Sequence, residues 1–137
     1  MIKHIVMWNV RGDSRDERSA NSTRLKREFE SLRGRIPGLL RLEVGVDLSR
    51  ADYACDVVLY SEFESQAALD GYAAHPEHLR VREALGDLRI ARHQVDYATV
   101  GTADRETNRR EGASPPAGSV AGNNPANGDN DHVQTLR

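Results

Sequence analysis

Ile2-Lys3-His4-Ile5-Val6-Met7-Trp8-Asn9-Val10 decides the architecture. Side chains alternate across an extended strand, so His4, Val6 and Trp8 fall on one face and Ile5 and Met7 on the other. Both faces carry apolar groups, so each needs a cover. The run Cys55-Asp56-Val57-Val58-Leu59-Tyr60 repeats the pattern, with Val57 and Leu59 on one side and Val58 and Tyr60 on the other.

The intervening segments supply one of the two covers. Arg11 to Ala20 reads as a charged loop. Ser22 or Thr23 is placed to cap a helix running to about Arg33, with Leu25, Phe29 and Leu32 at helical spacing. Gly34 and Pro37-Gly38 stop it. Leu40 to Val46 alternates and reads as a second strand, and Cys55 to Phe63 as a third. Ser65 caps a second helix from Gln66 to Ala74, with Leu69 and Tyr72 on one side. Pro76 suits the first turn of a further helix, Glu77 to about Leu88, because the N–H it lacks is not needed there. Ile90 to Ala98 closes as a fourth strand, with His93, Val95 and Tyr97 on one face. The order β-α-β-β-α-β is the ferredoxin-like pattern, an α+β fold whose four-stranded antiparallel sheet has helices on one face. The second apolar face is most simply covered by another copy of the chain, so a homodimer with facing sheets, a dimeric barrel, is expected.

Composition changes after Val100. Residues 101–137 are rich in Gly, Asn, Pro, Ser and charge, with Val120, Val133 and Leu136 as scattered larger apolar groups. Such a segment buries too little to offset its conformational entropy, so a folded unit over residues 1–100 and a disordered polar tail over 101–137 are expected. The charges nearly balance, with 19 Lys and Arg against 21 Asp and Glu, and no basic block argues for nucleic acid. No apolar run reaches membrane-spanning length and Met1 leads directly into a strand, so a cytoplasmic protein is expected. The single cysteine, Cys55, excludes an intramolecular disulfide and reads as a small buried hydrophobe.

Chemistry concentrates in Tyr72-Ala73-Ala74-His75-Pro76-Glu77-His78 and in His4 of the opening strand. An imidazole with an ordinary pKa of about 6.5 can exchange protons near neutrality. His78 is the candidate general base, Tyr72 a donor to it or to a developing enolate oxygen, and His4 a group that orients the other end of a substrate. Val6, Trp8, Phe29, Leu59 and Leu69 would wall such a site, with His75 at its edge. The scheme needs no cofactor. The plainer account makes His4 and Tyr72 core residues and has His75 and His78 pack the helix junction. His75, Glu77 and His78 are a weak metal pattern, and no metal is assigned. His93 reads as a strand residue near the sheet edge and His132 as a solvated one. Arg80, Arg82, Arg89 and Arg92 read as a solvated or interface face rather than an anion site.

Several pieces resemble the stress-responsive dimeric α/β-barrel (Dabb) domain family: Ile2-Lys3-His4-Ile5-Val6, Ile36-Pro37-Gly38, Glu43-Val44-Gly45, Phe63, His75-Pro76-x-His78 and Asp96-Tyr97. The resemblance spans about residues 1–99. It implies a ferredoxin-like homodimer. One plant branch of the family closes polyketide chains by aldol chemistry, and its site positions match His4, Tyr72 and His78 here. That branch has a pocket tyrosine where this chain has Phe29, so one substrate-orienting hydroxyl is missing. The resemblance thus implies a pocket for a small, largely apolar or aromatic molecule, or a cofactor-independent lyase or cyclase. A third expectation is a structural dimer module whose interior is filled by its own side chains.

Overall fold

The computed structural model describes residues 1–100; the expected tail, 101–137, lies outside the described residues. The elements are β1 (Ile2–Val10), α1 (Arg15–Glu30), β2 (Leu39–Val46), β3 (Val57–Phe63), α2 (Gln66–Ala73), α3 (Pro76–Leu85) and β4 (Arg89–Ala98), with a 3₁₀ turn at Gly86–Leu88 before β4. The sheet is antiparallel in the order β2-β3-β1-β4. This is the ferredoxin-like arrangement, with β1 at the centre and β4 on an edge.

The largest departure from expectation lies at the start of α1. The helix begins at Arg15, inside the segment read as a loop, and its cap is Ser14 rather than Ser22 or Thr23. Ser14 Oγ accepts from the Glu17 N–H at 3.1 Å, and the Glu17 carboxylate accepts from the Asp13 N–H at 2.6 Å. That is a capping box displaced by one residue. The first two turns of α1 are exposed and charged, so they carry no apolar periodicity. The helix also ends earlier than expected, at Glu30, and α3 ends at Leu85 because Gly86 takes a positive φ of 53°. Gly38, at φ +82°, is required for a second reason: a Cβ there would lie 2.5 Å from the Ala68 Cβ. A side chain would drive the β2 entry away from α2.

The core lies between the helices and one face of the sheet. Val6, Trp8, Leu59 and Phe63 from the strands meet Leu25, Phe29, Leu32 and Val81 from the helical layer, all at 2% exposure or less. Trp8 stacks on Phe29 with ring centroids 4.9 Å apart, an arrangement that adds about 0.5–1.5 kcal/mol to the area it buries. The other sheet face presents Ile5, Met7, Val58, Tyr60, Val95 and Tyr97, half-buried or exposed. Cys55 precedes β3, is half-buried, and has its thiol pushed up by burial, which argues against a reactive thiolate. No described helix is long and apolar enough to cross a membrane.

Candidate functional site

The α2–α3 junction sets the positions of two aromatic side chains. Ser65 caps α2 as expected, and Tyr72 in its last turn is buried. The chain then turns at Ala74, and His75 becomes the cap of α3, its Nδ1 accepting from the Glu77 N–H at 3.0 Å. Pro76 fills the first helical position. Two residues later His78 points inward beneath the end of α2, where its Nδ1–H donates to the Ala73 carbonyl at 3.2 Å. Its ring lies 4.4 Å from the Tyr72 ring. His4 approaches Tyr72 from β1, edge-on, at 5.9 Å between centroids.

His4 is 6% exposed and does not stand alone. Asp96 lies opposite it across the β1–β4 pair and accepts from its Nδ1 at 2.6 Å. Gln94 donates to the second Asp96 oxygen at 3.0 Å. With the proton held on Nδ1, the neutral ring presents Nε2 as an acceptor. The hydrogen bond to Ala73 fixes the same tautomer in His78. Burial pulls the His78 pKa from 6.5 to about 3, opposed by the Ala73 hydrogen bond and assisted by the neighbouring Arg82 and Arg89. His78 is therefore neutral at any ordinary pH, and it is a weaker base than its ordinary pKa implies.

His4, Tyr72 and His78 border one hollow of about 20 Å³, walled by Val6, Trp8, Phe29 and Leu59. That is room for about one water. A neighbouring hollow of about 40 Å³ shares His4, Tyr72 and His78 and adds Leu69. His75 borders neither hollow; its ring serves as the helix cap. The expected trio is therefore brought together and the expected wall is present, but the interior is nearly closed. The indole N–H of Trp8, 2% exposed, has no hydrogen-bond acceptor among the described residues. An orphaned buried donor is costly, on the order of 1–3 kcal/mol.

Two features of the site were not anticipated. Arg82, Arg89 and Arg92 also border the smaller hollow, and the reading of a solvated face fails for the buried Arg89. Arg89 is 4% exposed, and its guanidinium lies near the Arg82 and Gly86 carbonyls at 3.4 and 3.5 Å. Arg80 keeps to the outer surface with Glu77 and Glu28. Asp96 was quoted as part of a motif without a role. The alternation of β4 could have exposed both features: if His93, Val95 and Tyr97 share the open face, Arg92, Gln94 and Asp96 must share the inner one.

A roomier cleft lies elsewhere, around the end of β1 and the β2–β3 connection, at about 430 Å³. Arg15, Arg18 and Arg50 face Asp47, Asp52 and Asp56 across it. Its acids have local work: Asp56 accepts from the Val10 N–H, and Asp47 from Ser49 and the Arg50 N–H.

Comparison with known proteins follows the same outline. The family model of the stress responsive A/B barrel domain matches residues 2–99. A dimeric protein of unknown function and ferredoxin-like fold from Bacteroides fragilis is 30% identical, with a TM-score of 0.64 over 72% of this chain and 95% of that one. A Dabb family protein with a ferredoxin-like fold from Mesorhizobium loti is 25% identical, with a TM-score of 0.58 over 73% and 97% of the two chains. A hydroxynitrile lyase from Passiflora edulis shares the fold at 19% identity, with a TM-score of 0.59 over 74% and 94%. No curated protein matches the chain.

Proposed function

The chain belongs to the stress responsive A/B barrel domain family, and from that premise we propose that it works as a homodimer that binds a small, largely apolar molecule between sheet and helices. The dimer proposal rests on the open sheet face. Ile5, Met7, Val58, Tyr60, Val95 and Tyr97 form a contiguous surface across three strands, and such a surface marks an interface. A facing copy related by a two-fold axis would cover it. Sedimentation at micromolar concentration should give a dimer; a clean monomer would overturn this part.

The binding proposal rests on the buried polar groups that converge on the hollow. A module filled only by its own side chains has no use for an orphaned indole N–H beside two inward-facing imidazoles. A guest carrying oxygen atoms would accept from Trp8 and, through a hydroxyl, donate to Nε2 of the imidazoles. Its apolar body would lie on Val6, Phe29 and Leu59. At about 20 and 40 Å³ the hollows admit such a guest only if they open and merge. They share four residues, His4, Tyr72, His78 and Arg92, so displacing a few side chains would join them. Melting curves with a panel of small aromatic and acyl compounds test the idea. A ligand at a hundred times its Kd adds about 2.7 kcal/mol to the stability of the form it binds. At least one compound should raise the melting temperature of the wild type and leave that of His78→Ala unchanged. A panel that raises neither returns the interior to a purely structural role.

A second reading, a cofactor-independent lyase or cyclase of the aldol type, has one observation in its favour: the His4–Asp96 pair. Burial lowers the His78 pKa to about 3, so we assign it the role of hydrogen-bond acceptor. His4, backed by a carboxylate, is the better-equipped base. Its Nε2 would take a proton from a carbon between two carbonyls, the electron pair would pass into an enolate oxygen, and Tyr72 would stabilise that oxygen. Turnover of β-polyketo substrates should fall on the order of a hundredfold or more in His4→Ala, and less in His78→Ala. Absence of turnover in the wild type discards this reading and leaves the binding proposal standing.

A further inference from the structure

We propose that the guest of this hollow is a diol, an apolar ring body whose two hydroxyl groups donate to the Nε2 atoms of His4 and His78 and one of whose oxygens accepts from the Trp8 indole. The proposal rests on the binding reading above and names the ligand class for the same site. What each imidazole does on its other side sets the acceptors. The Asp96 carboxylate and the Ala73 carbonyl can only accept, so in the neutral rings both protons stay on Nδ1. Neither Nε2 has a partner among the described residues. Each ring therefore offers a lone pair to the hollow that both residues line. Burial, which lowers the His78 pKa to about 3, keeps that ring an acceptor. Matching two buried acceptors takes two donors, which a ketone, an ether or a carboxylate does not carry.

A row of rings sets the order of these groups. His4 meets Tyr72 at 5.9 Å between centroids, Tyr72 meets His78 at 4.4 Å, His78 meets Phe29 at 6.3 Å and Phe29 meets Trp8 at 4.9 Å. The two acceptors thus flank Tyr72, and the buried indole donor stands beyond Phe29. The second hollow continues the acceptor end, with Asp70 and Asp96 in its lining beside His4 and His78. One Asp70 oxygen accepts from Gln66 at 3.0 Å, and the Asp96 oxygens accept from His4 and Gln94. Carboxylates at that end favour a guest that donates. A diol also satisfies the indole, because a hydroxyl oxygen accepts while its proton is given to an imidazole.

Near-isosteric probes test the claim on the full chain at mildly alkaline pH, where a free imidazole is neutral. Catechol, resorcinol and hydroquinone are each compared with the fluorophenol and the difluorobenzene of the same substitution pattern. Fluorine removes the donor, adds no bulk and makes the compound more apolar, so burial of apolar surface alone predicts the opposite ranking. Titration calorimetry reads affinity, and the imidazole signals of His4 and His78 report whether the compound is in the hollow. In at least one pattern, each hydroxyl replaced should weaken binding on the order of tenfold. The indole N–H, a single signal because the chain has one tryptophan, should move downfield with the diol. His78→Phe removes one acceptor and should cut the advantage of the diol over the fluorophenol to about twofold. His4→Phe supplies the same readout from β1, and the wild-type ranking decides the matter by itself if neither variant folds. If the fluorinated compounds bind as well as the diols and move the same imidazoles, the diol assignment is overturned and the pocket reading survives. If no compound moves either imidazole, both are overturned.

Discussion

Two concave regions of this molecule differ in an instructive way. The cleft at the end of β1 encloses about 430 Å³, yet its arginines and aspartates balance and its acids are hydrogen-bonded locally. The hollow beneath α2 and α3 encloses about 20 Å³, yet it gathers two buried imidazoles, a phenol, an orphaned indole N–H and three guanidinium groups. Volume records where packing stops, whereas chemistry appears where polar groups are drawn together inside the core, the Trp8 N–H among them without an acceptor among the described residues. The small hollow is built into the core, and the large cleft is a fold of the surface.

That contrast is open to direct attack. The largest effect is expected from Leu59→Ala, which removes a fully buried wall of the small hollow and should cost about 2–5 kcal/mol in urea unfolding. Asp52→Asn, exposed at the mouth of the large cleft, should stay within about 0.5 kcal/mol. Equal losses would erase the distinction. A smaller effect is expected from Asp96→Ala, which leaves the buried His4 Nδ1–H without its acceptor and should cost about 1–3 kcal/mol. Asp96→Asn keeps an oxygen at that point and should recover much of the loss; if it does not, the carboxylate charge matters more than the hydrogen bond.

The third effect is graded with pH. His78 binds its proton near 6.5 when unfolded and near 3 when folded. Between those values the unfolded chain holds the extra proton, so acid favours unfolding there. The contribution of His78 is full above about pH 6.5 and is lost as pH falls toward 3, at no more than about 1.4 kcal/mol per pH unit. Carboxylates held low, such as Glu30, also weaken the fold in acid, so the informative quantity is the difference between wild type and His78→Gln. The variant should show the shallower decline over this window. Parallel curves would mean that His78 is not held neutral by burial.

How much of this was legible follows from the range of each interaction. β1 was read to its observed bounds because alternation is local, and Ser65 was recognised because a cap acts over three residues. The beginning of α1 was missed because Arg15 to Ala20 faces water and carries no apolar rhythm. His4, Tyr72 and His78 were singled out from residue type and resemblance, and the β1–α2–α3 packing does bring their rings within 6 Å or so of Tyr72. The burial of Arg89 was missed because it is tertiary: positions 82, 89 and 92 border one hollow only when α3 turns through Gly86 into the edge strand. The near closure of the hollow is a matter of packing volume, which no pattern of residue types encodes. The depressed pKa of His78 follows from the same packing, so the sequence suggested an ordinary base where the fold holds a neutral acceptor.

The central claim, that the space shared by His4, Tyr72 and His78 receives a guest, is tested most directly by following histidine ring signals by NMR while the aromatic and acyl panel is titrated into the full chain. His93, exposed on the opposite sheet face, serves as the internal control. The account predicts a saturable shift of His4 and His78 together, with His93 unmoved. A panel that leaves the two buried rings in place, or that moves His93 as much as it moves them, would contradict it.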